Sequence, residues 1–192
     1  MGQVNWSYRK DHATTRSRVY VTVDGTDFRI KEPTPFSSSW YSHKFKGPGV
    51  RYEIGVCIAT GWIVWANGPY RCGAYADETI ARLGLHTILE EGEHYIADGG
   101  YQSTEAIVPM DAVTEDETRY MQICRSRHET INRYFKQFNS ISNIFTRHVS
   151  KHALFAHSII NIVQIGIMHG EKNPFQVQVY GEEPTTWPEN LP

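Results

Sequence analysis

The tightest constraint on this chain is a run that alternates strictly and then doubles back. Tyr52, Ile54, Val56 and Ile58 recur at every second position, Thr60-Gly61 breaks the run, and Trp62-Ile63-Val64-Trp65-Ala66 returns. A period of two in β-branched and aromatic residues predicts strands, and the turn between them makes a hairpin. Asn67-Gly68-Pro69 is expected to end it. Upstream, Val19-Tyr20-Val21-Thr22-Val23 predicts a first strand, followed by a long loop over 31–49 with Pro33, Pro35, Gly47, Pro48 and Gly49.

Downstream, a helix is predicted over 77–89, a strand over 93–98 and a short strand over 106–110. Thr114-Glu115-Asp116-Glu117 is a capping box, in which hydroxyl and carboxylate each satisfy an unpaired backbone N–H. It starts a long helix whose apolar side carries Tyr120, Met121, Cys124, Ile131, Tyr134, Phe135 and Phe138. A last helix is expected over 151–169, ending at Gly170, and an edge strand over 175–180. The order is strand, hairpin, helix, strand, helix, helix. That is one mixed α/β domain over 18–181, between a polar lead-in (1–17) and a polar tail (182–192).

Composition excludes several classes. At 192 residues and 22.0 kDa the chain suits one domain, and 40% hydrophobic with 21% charged residues is ordinary for a globular protein. A net charge of −2 means that any nucleic-acid contact must come from local clusters. Cys57, Cys72 and Cys124 are odd in number and widely spaced, against a disulfide framework or a zinc finger, so a reducing compartment is expected. The polar N-terminus does not read as a signal peptide. The most apolar stretch, 154–168, contains His157, Ser158, Asn161 and Gln164, and reads as a buried helix with no membrane partner.

Three acids stand out. Asp24 follows the first strand and opens Asp24-Gly25-Thr26-Asp27; Asp98 follows Tyr95-Ile96-Ala97 and precedes Gly99-Gly100; Glu129 lies on the long, basic helix. Strand ends hold ligands rigidly, and glycines beside them admit close approach. Three carboxylates can hold Mg²⁺, which prefers oxygen donors, and two such ions serve phosphodiester chemistry. Each acid has a plainer reading: an Asx turn for Asp24 and for Asp98, and an i,i+4 ladder with Arg125 and Arg133 for Glu129. Asp77 reads most simply as a helix N-cap, with a supporting place near the acids as the second reading.

Context favours the metal site. Arg125, Glu129, Asn132, Arg133 and Lys136 share one helical face, opposite the aromatic side, and Arg127 joins them as a contact candidate. His43, Lys44, Lys46 and Arg51 form a second basic set, and Arg147, His148, Lys151 and His152 a third. Each set, taken singly, is also a solvated surface. No P-loop, His-Glu-x-x-His or nucleophile elbow is present. His86 and His157 read as helix-packing histidines.

Four ordered blocks resemble DDE-superfamily transposases, and within them the Harbinger/insertion-sequence-5-like group of eukaryotes. They are Val23-Asp24-Gly25-Thr26, the run from Trp40 to Ile54, Ala97-Asp98-Gly99-Gly100-Tyr101, and Arg127-His128-Glu129-Thr130-Ile131-Asn132-Arg133-Tyr134-Phe135-Lys136. The likeness runs from about residue 18 to 180. It implies an RNase H-like fold, a mixed five-stranded sheet flanked by helices. It also implies Asp24, Asp98 and Glu129 as the catalytic and metal-binding triad, with two Mg²⁺ ions, Mn²⁺ substituting. The implied reaction is DNA cleavage at transposon ends, then transfer of the 3′-hydroxyl strand into target DNA in the nucleus. Asp77 matches an acidic position of the family.

Two departures qualify it. Gly99 stands where relatives have Asp, Glu or Ser before Gly-Tyr, and nothing before residue 18 resembles the helix-turn-helix domain that such proteins often carry. Candidate partners are therefore DNA, a separate Myb-like DNA-binding protein, and a homo-oligomer. Two other functions stay open: a domesticated or inactive transposase-derived module that binds DNA or protein without chemistry, and an RNase H or Holliday-junction-like nuclease on the same fold.

Overall fold

A computed structural model describes residues 4–11 and 17–169. Its centre is β1 (Val19–Arg29), which pairs antiparallel with β3 (Gly47–Cys57) and parallel with β5 (His94–Ile96). β4 (Ile63–Arg71) pairs antiparallel with the far side of β3, and β6 (Ala106–Ile107) parallel with β5. A two-residue β2 (Tyr41–Ser42) pairs with the start of β3, inside the expected loop, and gives six strands among the described residues. The main order, β4-β3-β1-β5-β6, with helices on both faces, is the mixed α/β architecture of an RNase H-like domain.

The first strand is more than twice as long as the apolar run that announces it. β3 offers a partner at every position from Val21 to Arg29, so the polar segment Asp24-Gly25-Thr26-Asp27 is held in the ladder. Asp24 lies mid-strand opposite Ile54, not in an Asx turn at a strand end. β4 likewise runs through Asn67-Gly68-Pro69 to Arg71, because a register shift between Arg51 and Glu53 absorbs the proline.

Among the described residues four α-helices cover the sheet: α1 (Asp77–Leu83), α2 (Glu115–Lys136), α3 (Asn139–Ser142) and α4 (His152–Met168). The predicted helix over 77–89 breaks at Gly84 (φ −132°, ψ −76°) and continues only as a 3₁₀ turn over Leu85–Thr87. α2 starts at Thr114 with the expected capping box. Strand alternation divides the core. Phe28, Val50, Tyr52, Ile54 and Val56 pack with Ile131 and Phe135 of α2 and with α4. Val21, Val23 and Val64 pack on the other face with Ala81, Leu85, Tyr95 and Ala97. α4 is tied down by Gln164, whose Oε1 accepts the Ile63 N–H (2.6 Å). His152 is fully buried beside the Tyr52 hydroxyl (2.9 Å), and burial pulls its pKa down to about 4. It therefore belongs to the core, not to the third basic set.

Part of the lead-in is tied to the domain. Trp6–Lys10 forms a 3₁₀ turn whose Arg9, 4% exposed, pairs with the Glu93 carboxylate (2.6 Å). The three cysteines are free and buried, and no helix among the described residues is long and apolar enough to cross a membrane. The predicted edge strand over 175–180 lies outside the described residues.

Candidate active site

α2 is pinned across β1 at two points one helical turn apart. The Thr22 hydroxyl meets His128 Nε2 at 2.7 Å, and the Thr26 hydroxyl donates to Asn132 Oδ1 at 2.7 Å. Strand alternation puts Thr22, Asp24 and Thr26 on one face, so Asp24 lies between the pins on the strand as Glu129 does on the helix. Arg127, 2% exposed, anchors the same helix by donating to the carbonyls of Cys57 and Ile58. β5 stops at Ile96, opposite Thr22, which leaves the edge of β1 next to Asp24 open. Asp98 sits just past that end, its Oδ1 accepting the Gly100 N–H (2.9 Å).

The result is one cleft of about 430 Å³ lined by Asp24, Asp98 and Glu129, with Lys44, Arg125 and His128 on its walls. Glu129 is exposed, while Asp24 and Asp98 are half-buried. None of the three forms an ion pair with a described residue, so the i,i+4 ladder of Glu129 with Arg125 and Arg133 is not made. His128 is buried; burial lowers its pKa although Asp24 opposes the shift, so it acts as a neutral hydrogen-bonding pin.

A second set of acids lies through the sheet. Asp77 is the first residue of α1, not its N-cap, which is Ala76. Its carboxylate occupies the room left by Gly25, where a Cβ would come within 2.1 Å of Oδ1. That contact explains a glycine in the middle of a central strand. Arg51 Nη1 stands 3.1 Å from Asp77 Oδ1, while its Nε and Nη2 grip Asp27 at 2.6 and 3.0 Å. Ser42 adds a third bond to Asp27 (2.6 Å). Burial pushes the Asp27 carboxyl up, but the Arg51 and Ser42 hydrogen bonds outweigh it and hold the pKa below the usual range. Asp77 goes the other way. Burial raises its pKa, Arg51 and Lys44 oppose this, and Asp98 and Asp24 add to it.

Of the nine contact candidates, Lys44, Arg125 and Asn132 line this cleft or the one beside it, and Lys136 lines the latter. His43, Lys46 and Arg133 are exposed. Arg51 and Arg127 are not available to a phosphate, because both are buried and engaged inside the protein. Sequence reading missed Thr22, Thr26, Asp27 and Glu53. Alternation along a longer β1 would have placed the two threonines beside Asp24.

The segment 23–167 matches the model of the DDE superfamily endonucleases, from within β1 to the end of α4. The chain belongs to that family. Comparison with curated proteins and with solved structures returned no match. DDE superfamily endonucleases generally use divalent metal ions. The donor set here suits a hard, oxygen-seeking cation: three carboxylates without a competing ion pair among the described residues, and no thiolate in the cleft. Among the described residues no three such groups converge into a ready coordination cage, so the acids line the cleft and do not close on one point.

Proposed function

We propose that this DDE superfamily endonuclease domain cleaves DNA at transposon ends and joins the 3′-hydroxyl strand to target DNA, as a nuclear protein of the Harbinger/insertion-sequence-5-like group. The observation that carries the reading is the meeting of Asp24, Asp98 and Glu129 in one cleft walled by cations. These three carboxylates are the assigned metal ligands. Mg²⁺ ions bound there, two in number and replaceable by Mn²⁺, would activate a water or 3′-hydroxyl and steady the leaving oxygen. Asp24 is oriented by a strand that β3 pairs at every position from Val21 to Arg29, and Glu129 by the Thr22–His128 and Thr26–Asn132 bonds. Lys44, whose Nζ donates to the Gly25 carbonyl (2.6 Å), and Arg125 counter the charge of the incoming phosphate. Asp77 supports the arrangement from the α1 side, held by Arg51.

Asp98→Asn keeps shape and removes the charge. Plasmid nicking in Mg²⁺ or Mn²⁺ is expected to fall about 10³-fold, since metal stabilisation of the transferring phosphoryl group contributes several kcal/mol. Nicking at the wild-type rate by Asp98→Asn sinks the assignment. The net charge of −2 favours one alternative, a transposase-derived module that binds DNA or protein without chemistry. DNA binding indifferent to EDTA, with no nicking at all, would support it.

A further inference from the structure

The acid cleft continues into a second one. A cleft of about 380 Å³ lies between the later half of β1 and the last turn of α2, and Asp24 and Lys44 line both. The two follow each other along both elements. Asp24 and residues 122–129 of α2 belong to the first, Gly25 to Arg29 with Asn132 and Lys136 to the second.

We propose that one DNA strand runs through both clefts, so that the nucleotides on one side of the cut lie in the second, held by Lys136, Arg29 and Asn132. This rests on the endonuclease reading of the acid cleft and adds where the substrate strand goes. Lys136 and Arg29 are exposed cations on opposite walls. Asn132 has its carbonyl oxygen engaged by Thr26, so its N–H donors are what it offers a ligand. Asp27 lines the same cleft, yet its side chain is 2% exposed and its oxygens are taken by Arg51 and Ser42, so it presents no open carboxylate to a phosphate. Phe45, with the Arg29 guanidinium 5.1 Å from its ring centre, gives an apolar wall for sugar or base. Lys44 stands at the junction, where the strand would pass from one cleft into the other.

The test is fluorescence anisotropy of a labelled oligothymidylate with the whole chain in EDTA, which separates binding from cutting. Arg29→Ala and Lys136→Ala are each expected to weaken binding about five-fold at 0.1 M salt and to flatten the salt dependence by about 0.7 in slope. Arg82→Ala, on α1 across the sheet, is expected to change neither. Lys136→Gln repeats the measurement with the side chain's bulk kept, and equal melting curves exclude misfolding. Equal affinity of the wild type and the cleft variants overturns the strand path, as does a wild type that does not bind the oligonucleotide. Weakened binding by a protein that never nicks leaves the path standing and removes the endonuclease reading. Nicking with unchanged affinities does the reverse.

Discussion

The two faces of β1 treat their carboxylates in opposite ways. On the α2 side, Asp24 and Glu129 share a solvent-open cleft with Asp98, and none of the three has an ion-pair partner among the described residues. On the α1 side, Asp27 and Asp77 share the guanidinium of Arg51. Nearby Glu53 is 1% exposed and accepts hydrogen bonds from Trp65 Nε1 (2.8 Å) and the Tyr101 hydroxyl (3.5 Å). One face satisfies its acids within the protein. The other leaves its acids open to solution, and β1 carries one member of each set, Asp24 and Asp27. Acid content therefore does not locate the site; unpartnered acid in a cleft does.

The sharpest way to break this comparison is to remove the cation on the satisfied side. Arg51→Met leaves Asp27 and Asp77 buried without their partner, and losing one member of a buried charged cluster costs about 3–5 kcal/mol. Urea unfolding should register that loss. Asp98→Asn, which is expected to cut nicking steeply, should leave the urea midpoint near the wild-type value because its carboxylate has no ion pair to lose. Comparable destabilisation by both variants would mean that the two faces do not differ.

Glu53 sharpens the contrast through pH. Burial pushes its pKa up to about 7, the Trp65 bond opposes this, and Asp77 adds to it. With the folded pKa above the unfolded one, the neutral form is favoured in the fold. The cost of the acid is absent below about pH 4.5, grows as the unfolded chain ionises, and is complete above about pH 7. Glu53→Gln should therefore stabilise the protein at pH 8, by up to about 2–3 kcal/mol, and by far less at pH 5. A variant equally stable relative to wild type at both values would contradict the shift.

Much of this was legible in the sequence, for definite reasons. The hairpin, the capping box at Thr114 and the three acids rest on local patterns of period, spacing and residue type. What stayed hidden depends on partners far along the chain. The length of β1 is set by β3, not by its own apolar run, which is why Asp24 read as a strand end. The basic character of Arg51 and Arg127 was visible, but the carboxylates and carbonyls that take them out of the surface were not. His152 stands among cations in the sequence, but the Tyr52 ring stacked on it (5.6 Å) places it in the core. Asp77 sat at the right place for an N-cap, and only Gly25 and Arg51 show that its carboxylate turns toward the sheet.

The smallest expected effect tests how far the open face depends on its own internal bonds. Thr26→Val keeps the β-branched shape that the strand prefers and deletes the hydroxyl that meets Asn132. The lost bond is worth about 1 kcal/mol, a modest shift in the urea midpoint. If the pin also orients Glu129, nicking should fall further than that loss of stability explains, with kcat reduced more than apparent DNA affinity. Thr26→Ser, which restores the hydroxyl, should recover it. Thr22 offers the same comparison at the other end of the turn, where its partner His128 is buried and adjacent to Glu129. Valine there should cost more stability, because it leaves a buried imidazole nitrogen without its hydroxyl. A drop in stability with no change in nicking at either threonine would make both pins part of the packing alone, and leave Glu129 to be placed by the Arg127 anchor.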